Sequence, residues 1–493
     1  MLFRSRCRAS ALLVAAMFVL ASAAHAARTT QPPYSFDHVL PARSAQAPML
    51  HVPAVDVARE LAIDARAMDA QRSARGAVEK RLRVAVGNSV HASAGRDGVW
   101  EDLPGGGRLW RLTVQSPNAT DLRFGFSRFR VPQGATLHVI DEARRAYDGA
   151  YSAADSTPDG QLWLAPVSGD VLTLELHVPA GVALADDAVV LSTVGSGYRN
   201  VNELGGPGLF GAGESGVCNI DVVCPLGDDY RDEIRAVAKF YFQSGGTYLC
   251  TGTLVNNTAQ DLKPYFLTAN HCISTQAEAT SMSLIWNYES PSCGQHGGGS
   301  TSQTQAGGAT LRSHRADVDV ALVELNSLPP TAYGVYYAGW DASGIVPAGS
   351  IGIHHPSGWV KAITEDNNGL TTMNSCIGSG SSTHWRTGAP YAQGTTEGGS
   401  SGSAIFVPAG DATGHGNLIL GTLSGGSALC SGSVPNSGYD CYGKFSLAWE
   451  GASAASRLKD WLDPQASGAT TLPGIDPTGA ADIIFASGFE DGE

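Results

Sequence analysis

The chain has 493 residues, of which 43% are hydrophobic and 16% are charged. It therefore has enough apolar side chains for a core and too few charges for an intrinsically disordered protein. The 60 glycines follow no Gly-X-Y repeat, which favours a turn-rich β protein over collagen. The formal net charge is −14 and there is no long run of Lys or Arg, which argues against nucleic-acid binding.

The first 26 residues have the pattern of a secretory signal peptide. Three arginines within the first eight residues precede an apolar stretch over residues 11–23, and Ala24-His25-Ala26 is a small-x-small cleavage signal. This stretch is too short to cross a membrane, and no later apolar run reaches 18 residues. We therefore expect a secreted protein that is exported through the periplasm and carries no membrane anchor.

Residues 27–212 contain no cysteine and form the first of two regions after the signal peptide. An Ala-, Arg- and Glu-rich stretch over residues 57–86 predicts some helix near the start of this region. Alternating apolar and polar residues predict four antiparallel strands, at residues 108–114, 122–126, 136–140 and 172–178. The glycine-rich segment 195–216 is predicted to be the linker that ends the region.

Residues 213–476 form the second region, followed by a short acidic tail over residues 477–493. The eight cysteines left after the signal peptide all lie in this second region, which predicts four disulfides in an exported protein. No C-x-x-C pair is present, so we expect no metal site. Short strands are predicted at residues 236–242, 320–325, 405–407 and 418–423, and a helix at residues 452–462 that Pro464 ends.

Three segments of the second region carry residues suited to nucleophilic catalysis. His271 adjoins a cysteine at the end of a predicted strand, and Asp319 begins an apolar run that carries its carboxylate toward a core. Ser401 lies among glycines, which allow backbone N–H groups to converge on one point. Taken alone, the histidine is better explained by a structural role, and the aspartate is equally suited to an Asx turn. Together they occur in the order His, Asp, Ser, which is one of the orders known for a catalytic triad.

Residues 269–272, 319–322 and 399–403 resemble the three active-site blocks of chymotrypsin-like serine proteases. Four further stretches, at residues 218–224, 250–258, 353–356 and 461–464, resemble bacterial lysyl endopeptidases, so that the resemblance covers essentially all of residues 213–475. It implies an all-β fold, in which a double antiparallel β-barrel protease domain with a C-terminal helix follows a β-rich pro-region.

The resemblance also implies roles for individual residues. Ser401 is the expected nucleophile, His271 its general base, and Asp319 the carboxylate that holds the imidazole. The backbone N–H groups of Gly399 and Ser401 are the expected oxyanion hole. Asp440 is expected at the base of the primary specificity pocket with Glu397 close to it. The edge that pairs with substrate backbone is expected at Ser424, Gly425 and Gly426.

These features predict a secreted serine endopeptidase that cleaves after Lys and is made as a pro-enzyme. We expect a monomer without cofactors, whose partners are protein and peptide substrates. Its pro-region, residues 27–212, is expected to aid folding of the protease domain and to inhibit it. Two alternatives stay open, namely a broader trypsin-like protease that cleaves after Lys and Arg, and a catalytically inactive binding module with the same fold.

The resemblance further implies the disulfides Cys218–Cys430, Cys224–Cys293 and Cys250–Cys272. Cys376 and Cys441 are then left over and pair by elimination. The mature start of the family corresponds to Gly213, which here follows Ala212 rather than a lysine. Trypsin-like zymogens have an aspartate directly before the catalytic serine, where this chain has the uncharged Ser400.

Overall fold

The computed structural model describes residues 31–40, 47–199, 216–374, 376–377 and 380–477. The predicted signal peptide, most of the predicted linker including the position of the mature start, and the tail beyond residue 477 lie outside the described residues. No helix within the described ranges is both long enough and apolar enough to span a bilayer.

In the N-terminal part, the described residues 31–40 and 47–199 form two α-helices, α1 Tyr34–Asp37 and α2 Val57–Arg75, and otherwise mainly strands and turns. Its strands are β1 Met49–His51, β2 Val78–Glu79, β3 Leu82–Ser93, β4 Val99–Asp102, β5 Arg108–Gln115, β6 Asp121–Phe129, β7 Thr136–Asp141, β8 Tyr147–Tyr151, β9 Leu162–Trp163, β10 Val167–Ser168, β11 Val171–Val178 and β12 Val189–Gly197. The four predicted strands of this region correspond to β5, β6, β7 and β11.

Helix α2 is shorter than the helical stretch predicted over residues 57–86. Asp56 caps its start, where the Asp56 carboxylate accepts a hydrogen bond from the backbone N–H of Arg59. Gly76 ends it in the left-handed conformation, with φ of 68°. Beyond this glycine, apolar residues recur at every second position from Leu82 to Val86, and this alternation produces strand β3 instead of further helix.

In the C-terminal part, residues 216–374, 376–377 and 380–477 as described form four short α-helices, which are α3 Arg231–Ala236, α4 Gln276–Thr280, α5 Phe445–Trp449 and α6 Lys459–Leu462. Its strands are β13 Ile220–Asp221, β14 Val237–Gln243, β15 Gly246–Val255, β16 Tyr265–Thr268, β17 Ser283–Trp286, β18 Thr304–Gln305, β19 Ala309–Arg315, β20 Val320–Leu325, β21 Trp340–Asp341, β22 Ser350–His354, β23 Ala362–Asp366, β24 Thr371–Met373, β25 His384–Arg386, β26 Ala404–Phe406, β27 Ile419–Gly426, β28 Cys430–Ser431, β29 Val434–Pro435, β30 Asp440–Lys444 and β31 Thr471–Leu472.

These strands form the two antiparallel β-barrels expected of a chymotrypsin-like protease. Strands β14 to β20 build the first barrel, around a core that includes Phe240, Phe266 and Trp286. Strands β22, β23, β26, β27 and β30 build much of the second barrel, and a core that includes Trp340 and Phe445 contains side chains from the strands of both barrels. The catalytic candidates lie where the two barrels meet.

The N-terminal part is joined to the first barrel by a shared sheet of twelve strands. Strand β3 pairs with β12 on one side and with β15 on the other, in both cases antiparallel. In the pairing with β15, Val86 lies opposite Gly246 and Leu82 opposite Leu249. A second sheet of six strands, β1, β4, β5, β7, β8 and β11, completes the N-terminal part.

The C-terminal helical segment differs from the helix predicted over residues 452–462. The chain forms a 3₁₀ turn at Ala454–Ser456 and then α6, because Arg457 adopts an extended conformation with φ of −146° and ψ of 145° between them. Leu458 and Leu462 are nevertheless buried, as their spacing predicts.

The eight cysteines form four disulfides, Cys218–Cys430, Cys224–Cys293, Cys250–Cys272 and Cys376–Cys441. These are the pairs given by the resemblance and by elimination. The first joins the start of the C-terminal part to β28, and the last fixes β30 directly beside Asp440.

Candidate active site

His271 follows one strand of the first barrel, and Asp319 precedes the strand beside it. Strand β16 ends three residues before His271, β20 begins directly after Asp319, and Thr268 pairs with Ala321 in the sheet. The Asp319 carboxylate accepts two hydrogen bonds from His271, one from the backbone N–H at 2.8 Å and one involving ring Nδ1 at 2.8 Å. Because Asp319 is buried and bonded to Nδ1, it fixes the orientation of the imidazole and leaves Nε2 as the free acceptor.

Ser401 comes from the second barrel, in the tight turn that precedes β26. Its Oγ lies 2.6 Å from Nε2 of His271, within hydrogen-bonding distance. The turn depends on Gly399, which has φ of 98° and whose added Cβ would lie 2.9 Å from the backbone oxygen of His355. Only glycine fits there, and this close approach positions the N–H groups of the turn.

The N–H groups of Gly399 and Ser401 converge on one backbone oxygen. They donate to the carbonyl oxygen of Lys80, a residue of the N-terminal part, at 2.5 Å and 3.3 Å respectively. Two donors directed at one carbonyl beside a serine hydroxyl form the arrangement required to stabilise an oxyanion. The predicted oxyanion donors therefore bind an actual peptide carbonyl in this structure.

The side chain of Lys80 extends from this carbonyl into a buried pocket. Its Nζ donates to Oδ1 of Asp440 at 2.5 Å and to the backbone oxygens of Thr396 at 3.0 Å and Ala428 at 2.9 Å, and it also contacts the Thr396 hydroxyl. Asp440 is inaccessible to solvent. Its second oxygen accepts hydrogen bonds from the Tyr391 hydroxyl at 2.9 Å and from Thr396 Oγ1 at 2.6 Å. The pocket thus presents an oriented carboxylate to a primary ammonium.

Glu397 lies close to this pocket without touching the ammonium. Its carboxylate accepts a hydrogen bond from Ser357 Oγ at 2.8 Å, and burial raises its pKa above the ordinary value. Burial also lowers the pKa of Lys80, and the carboxylates of Asp440 and Glu397 oppose that shift. Of the two predicted pocket carboxylates, Asp440 makes the contact and Glu397 acts through its charge.

The predicted substrate-pairing edge is occupied by strand β2. Gly425 pairs with Glu79 and Gly426 with Val78, antiparallel. Ser424 lies one residue before the paired stretch, is buried, and places its Oγ 3.1 Å from Nε2 of His384. Gly425 and Gly426 therefore provide the observed edge, whereas Ser424 does not pair with β2.

Lys80, Thr396 and Tyr391 also belong to this site, and the sequence motifs did not predict them. Lys80 did carry a signal, because it is the only lysine before residue 213, among seventeen arginines in residues 27–212. Thr396 and Tyr391 carried none, because their positions depend on how the second barrel folds around Asp440.

Within the described ranges, Cys250, His271 and Cys272 are the one group of histidine, cysteine and acidic residues with ligand atoms close enough to share a metal ion. Both sulfurs belong to the Cys250–Cys272 disulfide, and a disulfide sulfur is not the thiolate that binds a metal. The disulfide instead links strand β15 covalently to the loop that contains His271.

Two family models match the chain, the lysyl endopeptidase N-terminal domain over residues 58–194 and the lysyl endopeptidase C-terminal domain over residues 212–443. A lysyl endopeptidase of Pseudomonas aeruginosa is 32% identical over 348 residues, which cover 67% of this chain and 71% of that protein. The chain belongs to the lysyl endopeptidase family. As a member of this family, with a serine-protease fold, it is a serine endopeptidase.

One further curated protein and one solved structure match smaller shares of this lysyl endopeptidase family member. The secreted RxLR effector protein 73 of Plasmopara viticola is 31% identical over 182 residues, which cover 36% of this chain and 42% of that protein. Among solved structures, the protease Anisep from Arthrobacter nicotinovorans matches 43% of this chain and 91% of its own at 16% identity, with a TM-score of 0.29.

Proposed function

We propose that this serine endopeptidase is secreted as a pro-enzyme and cleaves peptide bonds on the carboxyl side of lysine. The observation that carries the proposal is the Lys80 side chain in the pocket, with its ammonium on the buried carboxylate of Asp440 and its carbonyl between two N–H donors. A lysine residue of a substrate would make the same contacts.

The reaction follows from the three side chains. Ser401 Oγ attacks the carbonyl carbon of the bound lysine while Nε2 of His271 accepts its proton, and Asp319 stabilises the imidazolium that forms. The N–H groups of Gly399 and Ser401 hold the oxyanion of the tetrahedral intermediate, an interaction worth about 3 kcal/mol per donor in related sites. His271 then protonates the leaving amine, and water releases the acyl group by the same route.

The acceptors of the pocket match an ammonium better than a guanidinium. Asp440 Oδ1 and the backbone oxygens of Thr396 and Ala428 surround one point at 2.5–3.0 Å. Three acceptors around one point match the three donors of an ammonium, whereas a guanidinium is planar and binds carboxylates through a wide fork. This geometry favours cleavage after Lys over the broader Lys and Arg alternative.

The experiment that tests the function is peptide mapping of a denatured protein digested by the processed enzyme. Cleavage after Lys is expected in wild type, and Ser401→Ala should reduce the rate by several orders of magnitude while leaving the fold intact. Ser433→Ala, at an exposed serine of the same part, is the matched control and should behave as wild type.

A serine-directed sulfonyl fluoride adds a direct readout of the mechanism. It should modify Ser401 alone in the processed enzyme. Full activity of Ser401→Ala would contradict the proposed mechanism. Absence of both labelling and cleavage in the wild type would favour the inactive binding module. Equal rates after Lys and Arg would favour the broader protease.

The proposed pro-region is residues 27–212, which would be removed after export. Its strand β3 pairs with β15 of the first barrel, and the guanidinium of Arg123 donates to the backbone oxygen of Ser281 at 2.6 Å. Both contacts support a role of the pro-region in folding the protease. Amino-terminal sequencing of the protein recovered from the medium tests this division and the export together.

A further inference from the structure

Residues 78–81, here named the inhibitory segment, make three kinds of contact that a substrate would make. Val78 and Glu79 pair with the strand edge at Gly426 and Gly425, the Lys80 carbonyl lies in the oxyanion hole, and the Lys80 ammonium reaches Asp440. The next residue, Arg81, donates a hydrogen bond from its Nη1 to the backbone oxygen of His271 at 3.0 Å. The bond between Lys80 and Arg81 is therefore the one presented to Ser401.

We propose that the N-terminal part inhibits the protease as a bound substrate, with Lys80 in the specificity pocket and the Lys80–Arg81 bond at the catalytic serine. This inference rests on the proposed function, since it requires a site that binds lysine. The composition supports it independently, because residues 27–212 contain seventeen arginines and a single lysine. That single lysine is the residue placed in the pocket.

The chain on both sides of the Lys80–Arg81 bond is anchored to the same structure. On the carboxyl side, Leu82 and Arg83 lie opposite Leu249 and Tyr248 in the shared sheet. On the amino side, helix α2 is tied back to this strand, because Arg83 forms ion pairs with Glu60 at 2.7 Å and with Asp64 at 2.8 Å. Both ends of a broken bond would thus stay in place.

This anchoring explains how the inhibitory segment can inhibit the protease instead of being hydrolysed as a substrate. Attack by Ser401 Oγ would form an ester with the Lys80 carbonyl and break the bond to the Arg81 nitrogen, which would take its proton from His271. The new amine would remain beside the ester, where it can attack the same carbon, return a proton through His271 to Ser401 and restore the peptide bond. The reverse step competes with water because an amine held in place against the ester acts at a high effective concentration, about 10⁵ M or more for well-oriented intramolecular reactions.

Binding of a peptide to the full-length chain tests the proposal. The chain carries Ser401→Ala so that nothing is cleaved, and the probe is a fluorescein-labelled peptide with one internal lysine. Lys80→Gln removes the ammonium from the pocket, so we expect the peptide to bind at least ten times more tightly. Lys263→Gln is the matched control, because this half-exposed lysine has Asp261 as its ion-pair partner at 3.5 Å and lies outside the site. The proposal would be overturned if the peptide bound equally well to the chains with and without Lys80→Gln, provided that both chains unfold at the same temperature.

A second measurement requires no change at Lys80 and stays decisive if that variant does not fold. In the Ser401→Ala chain, an amine-acetylating reagent followed by mass spectrometry should modify Lys263 readily and leave Lys80 protected. An excess of the lysine peptide should increase the modification of Lys80. Modification of Lys80 at the rate of Lys263, without peptide, would overturn the proposal.

The wild-type chain separates failure of this inference from failure of the proposed function. If the processed enzyme cleaves after Lys and the Lys80→Gln variant binds the peptide no better, the inference alone is wrong. If the processed enzyme never cleaves after Lys, the proposed function itself is wrong. Rapid and complete cleavage of the Lys80–Arg81 bond with release of residues 27–80 would make this bond an activation site and contradict the inhibitory role.

Discussion

Replacement of Asp440 by asparagine tests the charge of the proposed specificity pocket. The substitution keeps the size of the side chain, and the remaining amide oxygen can still accept from an ammonium. It removes the buried negative charge that lies 2.5 Å from the lysine Nζ. We expect a large loss of activity toward lysine substrates with little effect on the catalytic residues.

The structure sets the scale of that loss. Two unit charges 2.5 Å apart attract each other by about 7 kcal/mol at an effective dielectric constant of about 20, and this is an upper limit because both groups lose hydration. Truncation of one partner of a buried, hydrogen-bonded charge pair costs about 2–5 kcal/mol. The expected decrease in kcat/KM is therefore about 30- to 5,000-fold.

The assay compares matched Lys and Arg amide substrates on the processed wild type and the Asp440→Asn variant. Asp228→Asn is the control, because it removes the same charge from an exposed side chain that pairs only with nearby Arg231 among the described ion pairs. The decrease should appear with the lysine amide in Asp440→Asn and be absent in Asp228→Asn. Labelling of Ser401 by a sulfonyl fluoride should stay close to the wild-type rate, because the reagent does not use the pocket carboxylate.

Two outcomes would refute this reasoning. An unchanged lysine rate in Asp440→Asn would show that the carboxylate does not bind the substrate ammonium. A parallel loss of activity and of serine labelling would show that the substitution damages the active site in general. In the latter case the structure of the pocket, rather than its charge, would be the important property.

Three further predictions concern folding and stability. Residues 213–493 alone should refold poorly, and they should regain activity when residues 27–212 are present during refolding and are then removed, because strand β3 and Arg123 contact the first barrel. Efficient unaided refolding, measured by amide hydrolysis, would contradict this. Burial raises the pKa of Asp121 to about 7 from its ordinary value of 3.8. Between these two pH values Asp121 is ionised in the unfolded chain and protonated in the folded chain. The free energy of unfolding should therefore decrease by up to about 4 kcal/mol as the pH rises through this range. Thermal unfolding of the Ser401→Ala chain from pH 4 to 8 should show this decrease and a smaller one after Asp121→Asn, whereas identical curves would count against it. Replacing both Cys376 and Cys441 by serine should cost about 4 kcal/mol in urea unfolding, because the disulfide closes a loop of 65 residues, and an unchanged midpoint would argue against the bond.

Much of the fold and the triad could be predicted because the relevant signals are local. Alternating apolar residues marked strands such as β5 and β11, whose side chains face a core on one side of the sheet. The candidate triad was recognisable from the order of three short motifs, although each motif alone also had a structural explanation. The structure adds the hydrogen bonds that join His271 to Asp319 and to Ser401.

The remaining features depend on contacts between distant parts of the chain. The predicted helical stretch ended early because Gly76 adopts a left-handed conformation and the residues after it pair with another strand. The position of Lys80 follows from pairing between β2 and β27, which are separated by about 340 residues in the chain. No local pattern specifies such a pairing, so the lysine could be noticed as rare but not placed in the pocket.

The shared sheet has a consequence for the enzyme if the proposed pro-region, residues 27–212, is removed. While the pro-region is present, the backbone of residues 246–249 pairs with β3, and removal of that strand leaves these N–H and C=O groups available close to the catalytic serine. A free strand edge readily accepts another extended chain. A polypeptide that continues past the cleaved bond can take the place of β3 there, whereas a short amide cannot. The mature protease should therefore favour long unfolded polypeptides over small model substrates.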